Sequence, residues 1–438
     1  MAVERSGAII SGHCSVSTER EEHMDKPKPY TISPWLVYQA YERVKANRGA
    51  AGVDGESMRM VVENLKNNLY KIWNRMSSGS YFPPPVKAVE IPKKAGGTRM
   101  LGVPTVADRI AQTVVKLTFE PLVEPIFHPD SYGYRPGRSA HDALAQTRKR
   151  CWRYDWVLEF DIKGLFDNIP HDLLMKAVRK HTDNPWVLLY IERWLVAPLQ
   201  RADGSQEPRT RGTPQGSVIS PVLANLFLHY AFDVWMSRQH VDQPFERYAD
   251  DAVVHCRSYA AAAALKADLA RRLAECGLEL HPTKTRIVYC HDDDRRGTYA
   301  ETSFDFLGYT FRPRRSKNRH GKYFINFTPA VSNAAVNAMR RTVHAWRLHL
   351  QVGRTITDLA RQYNPVVRGW MQYYGRFYPS ALYPLLRHVN RALVRWASRK
   401  YKKLEHHRRR AEHWLGGVAT REARLFTHWQ QGIRPAAR

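Results

Sequence analysis

The sequence predicts an α+β body followed by an all-α, basic domain. Two observations indicate the α+β body: short β-like runs alternate with helical patterns, and residues 86–91 and 98–101 form two such runs joined by a glycine-containing turn, as in a β-hairpin. A third observation indicates the C-terminal domain: the chain after Pro329 has helical periodicity. Residues 311–438 also contain 27 Lys and Arg against 4 Asp and Glu. That region carries +23 of the net charge of +27, and residues 1–310 carry only +4.

The individual elements follow from apolar spacing and from the positions of proline, glycine and asparagine. The first helix begins at Ser33-Pro34, has Val37, Tyr41 and Val44 on one face, and ends at Asn47. The other predicted elements are helices over about 57–76, 105–128, 171–200, 215–236 and 260–276, β segments over 157–162, 245–256, 302–312 and 321–327, and basic helices beginning at 345, 356 and 385.

Composition and charge exclude several classes of protein. No run approaches the ~20 apolar residues that a membrane span requires, and the polar N-terminus lacks the apolar region of a secretory signal. Five widely spaced cysteines form neither a disulfide framework nor a CxxC metal pair, which predicts a reduced, cytoplasmic protein. A pI near 10.0 with clustered Lys and Arg indicates a polyanionic partner, most often nucleic acid; basicity without such a partner is the alternative.

Acidic residues occur at the ends of β segments in two places. Asp161 follows the apolar strand 157–162, and Asp250-Asp251 lies between two apolar runs, 89 positions later, as at the tip of a hairpin. Adjacent carboxylates repel each other unless a cation joins them. A hard cation such as Mg²⁺ prefers oxygen ligands, and a pair of such ions suits nucleotidyl transfer. A simple Asp-Asp turn is the alternative for the pair taken alone.

The blocks around these carboxylates resemble the bacterial group II intron-encoded reverse transcriptase–maturase family, in the order of that family's motifs. The resembling blocks cover residues 52–55, 89–93 with 99–105, 131–139, 160–170 (FDIKGLFDNIP), 212–225 (GTPQGSVISPVLAN), 248–251 (YADD), 277–285 and 304–309 (FDFLGY). The resemblance implies a right-hand polymerase whose palm holds an antiparallel sheet. It implies a flexible tail over 1–28, an N-terminal extension and fingers over 29–158, the palm over 159–312, and a thumb and maturase (X) domain over 313–438.

The resemblance also implies roles for individual residues. Asp161, Asp250 and Asp251 correspond to the catalytic carboxylates that hold two Mg²⁺ ions, and the Ile162 carbonyl adds a backbone ligand. The residues expected to bind the incoming dNTP are Lys93, Arg99, Phe166 and Gln215. Among these, Phe166 is expected to exclude a ribose 2′-hydroxyl, with core packing as its alternative. Ser217 departs from the family pattern, in which a second glycine commonly follows Pro-Gln-Gly.

The basic C-terminal region resembles the thumb and maturase domain through residues 364–374 (NPVVRGWMQYY) and 426–429 (FTHW). Helical spacing of basic and apolar residues in 385–401 predicts one buried face and one face for phosphates. The residues predicted to bind RNA are Arg368, Tyr373, Tyr374, Arg387, Arg391, Arg395, Arg399, Lys402 and Lys403. Packing of the tyrosines, and solvation of the charged faces, are the alternatives.

Taken with the resemblance, these features predict an RNA-directed DNA polymerase with maturase activity. Its implied partners are group II intron RNA in a ribonucleoprotein, an RNA template with a DNA primer, dNTPs and target DNA at the bacterial nucleoid, but no membrane. The chain ends nine residues after Trp429, so we expect the type that lacks the C-terminal DNA-binding and HNH endonuclease domains and therefore uses another primer. Two alternatives are a domesticated or retron-like reverse transcriptase in defence or repair, and an RNA-binding splicing maturase without a polymerase role.

Overall fold

The computed structural model describes residues 28–47, 49–92 and 97–436. It confirms the α+β body and the helical C-terminal region. The N-terminal third forms helices α1–α5 and one hairpin. Its elements are α1 (Pro34–Ala46), α2 (Met58–Glu63), α3 (Leu65–Ser77), β1 (Val86–Pro92), β2 (Thr98–Val103), α4 (Val106–Val123) and α5 (Ala140–Cys151).

The central third places an antiparallel sheet against helices. Its elements are β3 (Trp156–Asp161), α6 (Leu165–Asn168), α7 (His171–Arg179), α8 (Pro185–Val196), β4 (Leu199–Gln200), β5 (Gln206–Glu207), α9 (Ser220–Leu228), a π-helical turn (His229–Asp233), α10 (Val234–Gln239), β6 (Phe245–Tyr248), β7 (Asp251–Cys256), α11 (Tyr259–Glu275) and β8 (Arg286–Tyr289). The strand order β6-β7-β3-β8 puts the two carboxylate-bearing strands, β3 and β7, side by side. A large apolar core between this sheet and the surrounding helices fixes their positions.

The C-terminal third begins with strands and continues as helices. Its elements are β9 (Phe304–Phe306), β10 (Tyr309–Lys317), β11 (Tyr323–Val331), α12 (Asn333–Ala345), α13 (Ile356–Tyr374), α14 (Tyr383–Lys400), α15 (Arg408–Arg421) and α16 (Thr427–Gln430). Strands β10 and β11 form a long hairpin that crosses the domain boundary predicted at residue 312. The helices after it enclose apolar clusters separate from the main core.

Three predicted helices differ from the structure. The helix expected over 57–76 is broken at Asn64 into α2 and α3, and the side chain of Asn68 donates to the Val61 carbonyl oxygen at 3.1 Å where α2 ends. The helix expected from residue 215 begins only at Ser220. The Gln215 carbonyl oxygen, which a helix would use for its own hydrogen bonding, accepts instead from the Gly102 amide at 2.7 Å. The prediction of a helix start at Ala345 is wrong, since α12 ends there.

Candidate polymerase active site

The three aspartates lie at one end of the palm sheet. Asp161, the last residue of β3, is directly opposite Asp251, the first residue of β7. Strands β6 and β7 pair with Tyr248 opposite Asp251, so Ala249 and Asp250 form the two-residue turn of this hairpin. The structure therefore brings together all three carboxylates that the sequence predicts.

The turn has a left-handed residue and a close neighbour. Ala249 has φ of 57°, a conformation more often adopted by Gly, Asn or Asp. A Cβ atom on Gly133 would lie 2.4 Å from the Ala249 nitrogen, so the 131–139 block needs glycine where it touches the turn. Mutual packing of these two segments thus holds Asp250 in place.

A buried polar network that the sequence reasoning missed supports the same turn from beneath. The Arg247 guanidinium, which is 1% exposed, donates to both carboxylate oxygens of Asp233, to Asn225 Oδ1 at 3.0 Å and to the Ala249 carbonyl oxygen at 3.2 Å. The Asn225 side chain in turn donates to the Gly133 carbonyl oxygen at 2.7 Å. A buried arginine must find partners for its donors, so this network fixes the turn through hydrogen bonds. The available signal was a charged Glu246-Arg247 pair inside a predicted strand.

The electrostatics of the site favour a cation. Desolvation around the turn, followed by the neighbouring carboxylate of Asp250, raises the pKa of Asp251 to about 7. Desolvation and then the charge of Asp161 likewise raise the pKa of Asp250. Asp251 keeps part of its surface open to solvent, so the repulsion is partly screened by water and salt. A positive charge placed among these groups would favour their ionised forms.

Lys284, a residue with no individual role predicted from the sequence, supplies one such positive charge. Its ammonium group forms an ion pair with Asp161 Oδ2, which is one of the oxygens predicted to bind metal. The same segment anchors the end of β3, since the His281 amide donates to the Asp161 carbonyl oxygen at 2.8 Å. Ile162, predicted as a backbone ligand, is buried and forms an isolated bridge with Leu280.

The donor set fits a hard divalent cation. Within the described ranges, no group of three or more His, Cys, Asp or Glu side chains is arranged to hold a metal ion. Mg²⁺, however, is usually held by one or two carboxylates together with substrate phosphates and water, not by an all-protein cage. Asp161 and Asp251 line one cleft of about 240 Å³, with Lys284 beside them. The ammonium of Lys284 pairs with Asp161 there, so the cleft already offers a carboxylate oxygen to a positive charge.

Three of the four predicted nucleotide-binding residues, Phe166, Gln215 and Arg99, lie in the described part of the chain. Phe166 is half-buried on α6, and Gln215 Nε2 donates to Asp167 Oδ2 at 3.3 Å, so the 160–170 and 212–225 blocks lie together. Arg99 is exposed on β2, opposite Ile91 of β1. Lys93 lies outside the described residues. Gln215 also lines a cleft of about 360 Å³ with Arg201, Arg209 and Arg211, which the sequence analysis did not single out.

Most of the predicted RNA-binding residues lie on the surface. Helix α14 buries Leu386, Val389, Leu393 and Trp396 and exposes a basic stripe on its other face. The exposed residues of the prediction are Arg368, Arg387, Arg391, Arg395, Arg399, Lys402 and Lys403. The i, i+4 spacing of the arginines on α14 puts them in one row.

Tyr373 and Tyr374 differ from the other predicted RNA-binding residues. Both are half-buried, and the Tyr373 hydroxyl donates to the Leu307 carbonyl oxygen at 2.9 Å while its ring stacks on His141. A Cβ atom on Gly308 would lie 3.2 Å from the Tyr374 hydroxyl. These contacts join α13 to the palm, so we propose a packing role for both tyrosines in place of the predicted RNA contact.

Comparison with known proteins bears on the class of this fold and site. Residues 91–311 match the reverse transcriptase (RNA-dependent DNA polymerase) family, and residues 336–414 match the group II intron, maturase-specific domain. The chain is 29% identical to protein YkfC of Escherichia coli (strain K12) over 361 aligned residues. The alignment covers 73% of this chain and 91% of YkfC. The chain is 33% identical over 212 residues to the group II intron-encoded protein LtrA of Lactococcus lactis subsp. cremoris, covering 46% of this chain and 33% of LtrA. Among solved structures, telomerase from Candida albicans is similar with a TM-score of 0.43 and 12% identity, covering 86% of this chain and 68% of that chain.

The reverse transcriptase match spans about half of the chain, so the protein belongs to the reverse transcriptase family. The second matching domain specifies the class further as a group II intron-encoded reverse transcriptase–maturase, which combines RNA-directed DNA polymerase activity with maturase function. Reverse transcriptases use divalent metal ions. In the described part of the chain, no helix is long and apolar enough to cross a membrane.

Proposed function

We propose that this protein copies RNA into DNA at the Asp161, Asp250 and Asp251 site and uses its basic helical domain to bind group II intron RNA. In the reaction, the 3′-hydroxyl oxygen of a DNA primer attacks the α-phosphorus of a dNTP. A phosphodiester bond forms, and the bond to pyrophosphate breaks. The observation that carries the proposal is the pairing of Asp161 with Asp251, with Asp250 in the adjoining turn.

Each carboxylate has a separate position in this proposal. Asp161 and Asp250 are the principal ligands for two Mg²⁺ ions, with Asp251 and the Ile162 carbonyl beside them. When bound, these ions activate the attacking hydroxyl and stabilise the leaving pyrophosphate. Lys284 must then release Asp161 Oδ2, which a side chain on a four-carbon stem can do by rotation.

The nucleotide is held from the fingers and from the floor of the cleft. Arg99 and Lys93 bind the triphosphate, because a guanidinium and an ammonium are both strong phosphate donors. Phe166 closes the space next to the ribose 2′ position and so favours dNTP over NTP. Gln215 contacts the nascent base pair from the 212–225 block, which the Thr213–Phe166 backbone hydrogen bond ties to α6.

The remaining partners follow from charge and from the second domain. The exposed arginine row on α14 binds intron RNA and favours its splicing-competent fold, which makes the protein part of a ribonucleoprotein. Target DNA is the second nucleic-acid partner, met at the bacterial nucleoid in the cytoplasm. As domain bounds we propose an N-terminal extension and fingers over 29–158, the palm over 159–312 and the thumb and maturase domain over 313–438, with the β10–β11 hairpin crossing from the palm into the thumb.

Primer extension tests the proposal. The purified protein, given a DNA primer on an RNA template, dNTPs and Mg²⁺, should extend the primer, and Asp250→Asn should abolish extension. Asp294→Asn, which alters an exposed loop carboxylate in the same way, is the matched control and should retain full activity. No extension by the wild-type protein, alongside normal intron splicing, would favour a maturase without a polymerase role.

A further inference from the structure

Strands β10 and β11 extend beyond the palm as a two-stranded ribbon rich in positive charge. Strand β9 pairs only with residues 309–311 of β10, whereas β11 pairs along its whole length, so the distal part has two strands. We call residues 312–325 the basic ribbon. Its cations are Arg312, Arg314, Arg315, Lys317, Arg319 and Lys322. No Asp or Glu occurs between Asp305 and Asp358 in the sequence, so nothing nearby in the chain offsets this charge.

The cations of the basic ribbon form no ion pair with an acidic residue in the described part of the chain. Along the described chain, the ion pairs that flank it in sequence are Arg286–Glu301 and Arg361–Asp358, and none includes a ribbon cation. Arg314 is half-buried and donates only to backbone oxygens, and desolvation lowers its pKa to about 10. The other five cations are exposed. A row of unpaired cations indicates an anionic partner.

One face of the hairpin is apolar and buried at its base but basic and exposed toward its tip. Phe311 and Phe327 are fully buried at the base of this face, where they join an apolar cluster. Because side chains alternate along a strand, Arg315 and Lys317 continue the same face outward, where they are exposed. There the Arg315 guanidinium lies 3.9 Å from the ring centroid of Tyr323, which is 54% exposed. The distal face thus presents cations and an aromatic ring together, a combination typical of protein surfaces that bind nucleic acid.

The edges of the ribbon are occupied, and its tip is ordered. Asp293 Oδ2 accepts from the Ile325 amide at 3.0 Å on one edge, and the Tyr378 hydroxyl donates to the Arg315 carbonyl oxygen at 3.3 Å on the other. At the tip, Asn318 Oδ1 accepts from the amides of His320 and Lys322, both at 2.9 Å. A further strand therefore cannot add to either edge of the ribbon at Arg315 or Ile325, and the tip is a preorganised turn.

We propose that the tip of the basic ribbon enters the major groove of duplex DNA and that its cations bind the flanking phosphates. The major groove of B-form DNA, about 12 Å wide and 8.5 Å deep, admits a two-stranded β-ribbon. The major groove of A-form RNA is too narrow for side chains to enter, so duplex RNA fits this element less well. The inference rests on the proposed function, which includes target DNA as a partner.

The position of the ribbon separates it from the primer and template. Asp293, which holds Ile325, adjoins the loop in which Arg295 donates to the Tyr154 carbonyl oxygen at 2.6 Å. Tyr154 precedes β3, whereas Asp161 ends it, so the ribbon lies toward the end of the palm sheet opposite the carboxylates. DNA bound by the ribbon is therefore a duplex outside the polymerase cleft.

Salt-dependent binding tests this inference. The variant Lys317→Gln/Arg319→Gln removes two ribbon charges, and Lys266→Gln/Arg271→Gln removes two exposed charges from α11 as the control. The probes are a fluorescein-labelled 30-base-pair DNA duplex and a 30-base-pair RNA duplex, titrated with the full chain between 50 and 200 mM NaCl. The ribbon variant should lose about tenfold in DNA affinity, and the slope of log K against log salt should fall by about 2. The control should retain the wild-type slope.

Primer extension on a short primer–template is measured in parallel and should be unchanged in the ribbon variant. Unchanged DNA affinity would overturn the inference, as would a larger loss for the RNA duplex than for the DNA duplex. Loss of primer extension with normal thermal unfolding would also overturn it, because the ribbon would then bind the primer–template. Failure of the proposed function is a separate result, seen as absence of extension by the wild-type protein.

Discussion

Arg247 and Asp233 form a two-bonded ion pair inside the palm, with Nε 2.7 Å from Oδ1 and Nη2 2.6 Å from Oδ2. Both side chains are buried, and the same guanidinium donates to the Ala249 carbonyl oxygen. The pair therefore links the helical layer beneath the sheet to the turn that carries Asp250. Its geometry makes the position of the Asp250 turn depend on a buried ion pair.

Breaking this pair should destabilise the protein strongly. Arg247→Met leaves Asp233 buried without its charge partner, and we expect a loss of about 3–5 kcal/mol in the free energy of unfolding, measured by urea denaturation. The double variant Arg247→Met/Asp233→Leu should recover part of that loss, because no buried charge then remains. A single variant that costs less than about 1 kcal/mol would contradict the role assigned to the pair.

Removal of Lys284 should tighten metal binding by the free protein. Its ammonium group competes for Asp161 Oδ2, and exposed ion pairs contribute about 0.2–1 kcal/mol, so Lys284→Met should raise Mg²⁺ affinity about two- to fivefold in calorimetric titrations. Lys163→Met is the control, because Lys163 is as exposed as Lys284 and forms an ion pair at 3.0 Å with a different carboxylate, that of Glu279. Equal effects of both variants would mean that Asp161 is not the ligand.

Shortening Phe166 should weaken discrimination against ribonucleotides. With Phe166→Val, the space next to the ribose 2′ position opens, and the ratio of kcat/KM for dNTP over NTP should fall about 10²-fold. Phe166→Tyr retains the ring and should retain the discrimination. If Phe166→Val lowers both kcat/KM values equally, the ring serves core packing, as the alternative interpretation holds.

Asp108 should make stability depend on pH. It is fully buried, accepts from Tyr81, Gln112 and Trp194, and desolvation raises its pKa to about 6. A carboxyl with a raised folded-state pKa stabilises the native state below its unfolded pKa, near 4, and this stability is lost as pH rises to about 6. We expect a loss of about 3 kcal/mol over that interval in wild-type protein relative to Asp108→Asn.

Urea denaturation at pH 4.5, 5.5 and 7 measures this difference, since the asparagine variant lacks the titrating group. The indole of Trp194, 2.7 Å from Asp108 Oδ1, contributes a fluorescence signal close to that group. Parallel pH profiles for the two proteins would show that Asp108 is ionised in the native state throughout.

Local sequence patterns were sufficient to predict the hairpin β1–β2, the β6–β7 hairpin and most of the palm helices. Two β-like runs and a short turn define a hairpin from neighbours in the chain alone, which is why Asp250 was correctly placed at a tip. The turn itself is one residue earlier than predicted, since it consists of Ala249 and Asp250, and Asp251 is the first residue of β7. The break at Asn64 was not predicted, because it depends on a side-chain hydrogen bond from Asn68 to the Val61 carbonyl oxygen that apolar periodicity does not register. The late start of α9 was not predicted, because the backbone before it bonds to residues far away in the chain.

The sequence by itself determined which chemical groups this protein offers: three carboxylates in two β segments, a hairpin that carries Arg99, and a basic helical domain. Only the tertiary structure decided that Asp161 faces Asp251 across a strand pair, that Lys284 lies against Asp161, and that Tyr373 and Tyr374 pack at a junction. The physical reason is that residue type fixes charge and donor chemistry. Which groups meet depends on strand register and on the burial of polar partners that lie far apart in the chain.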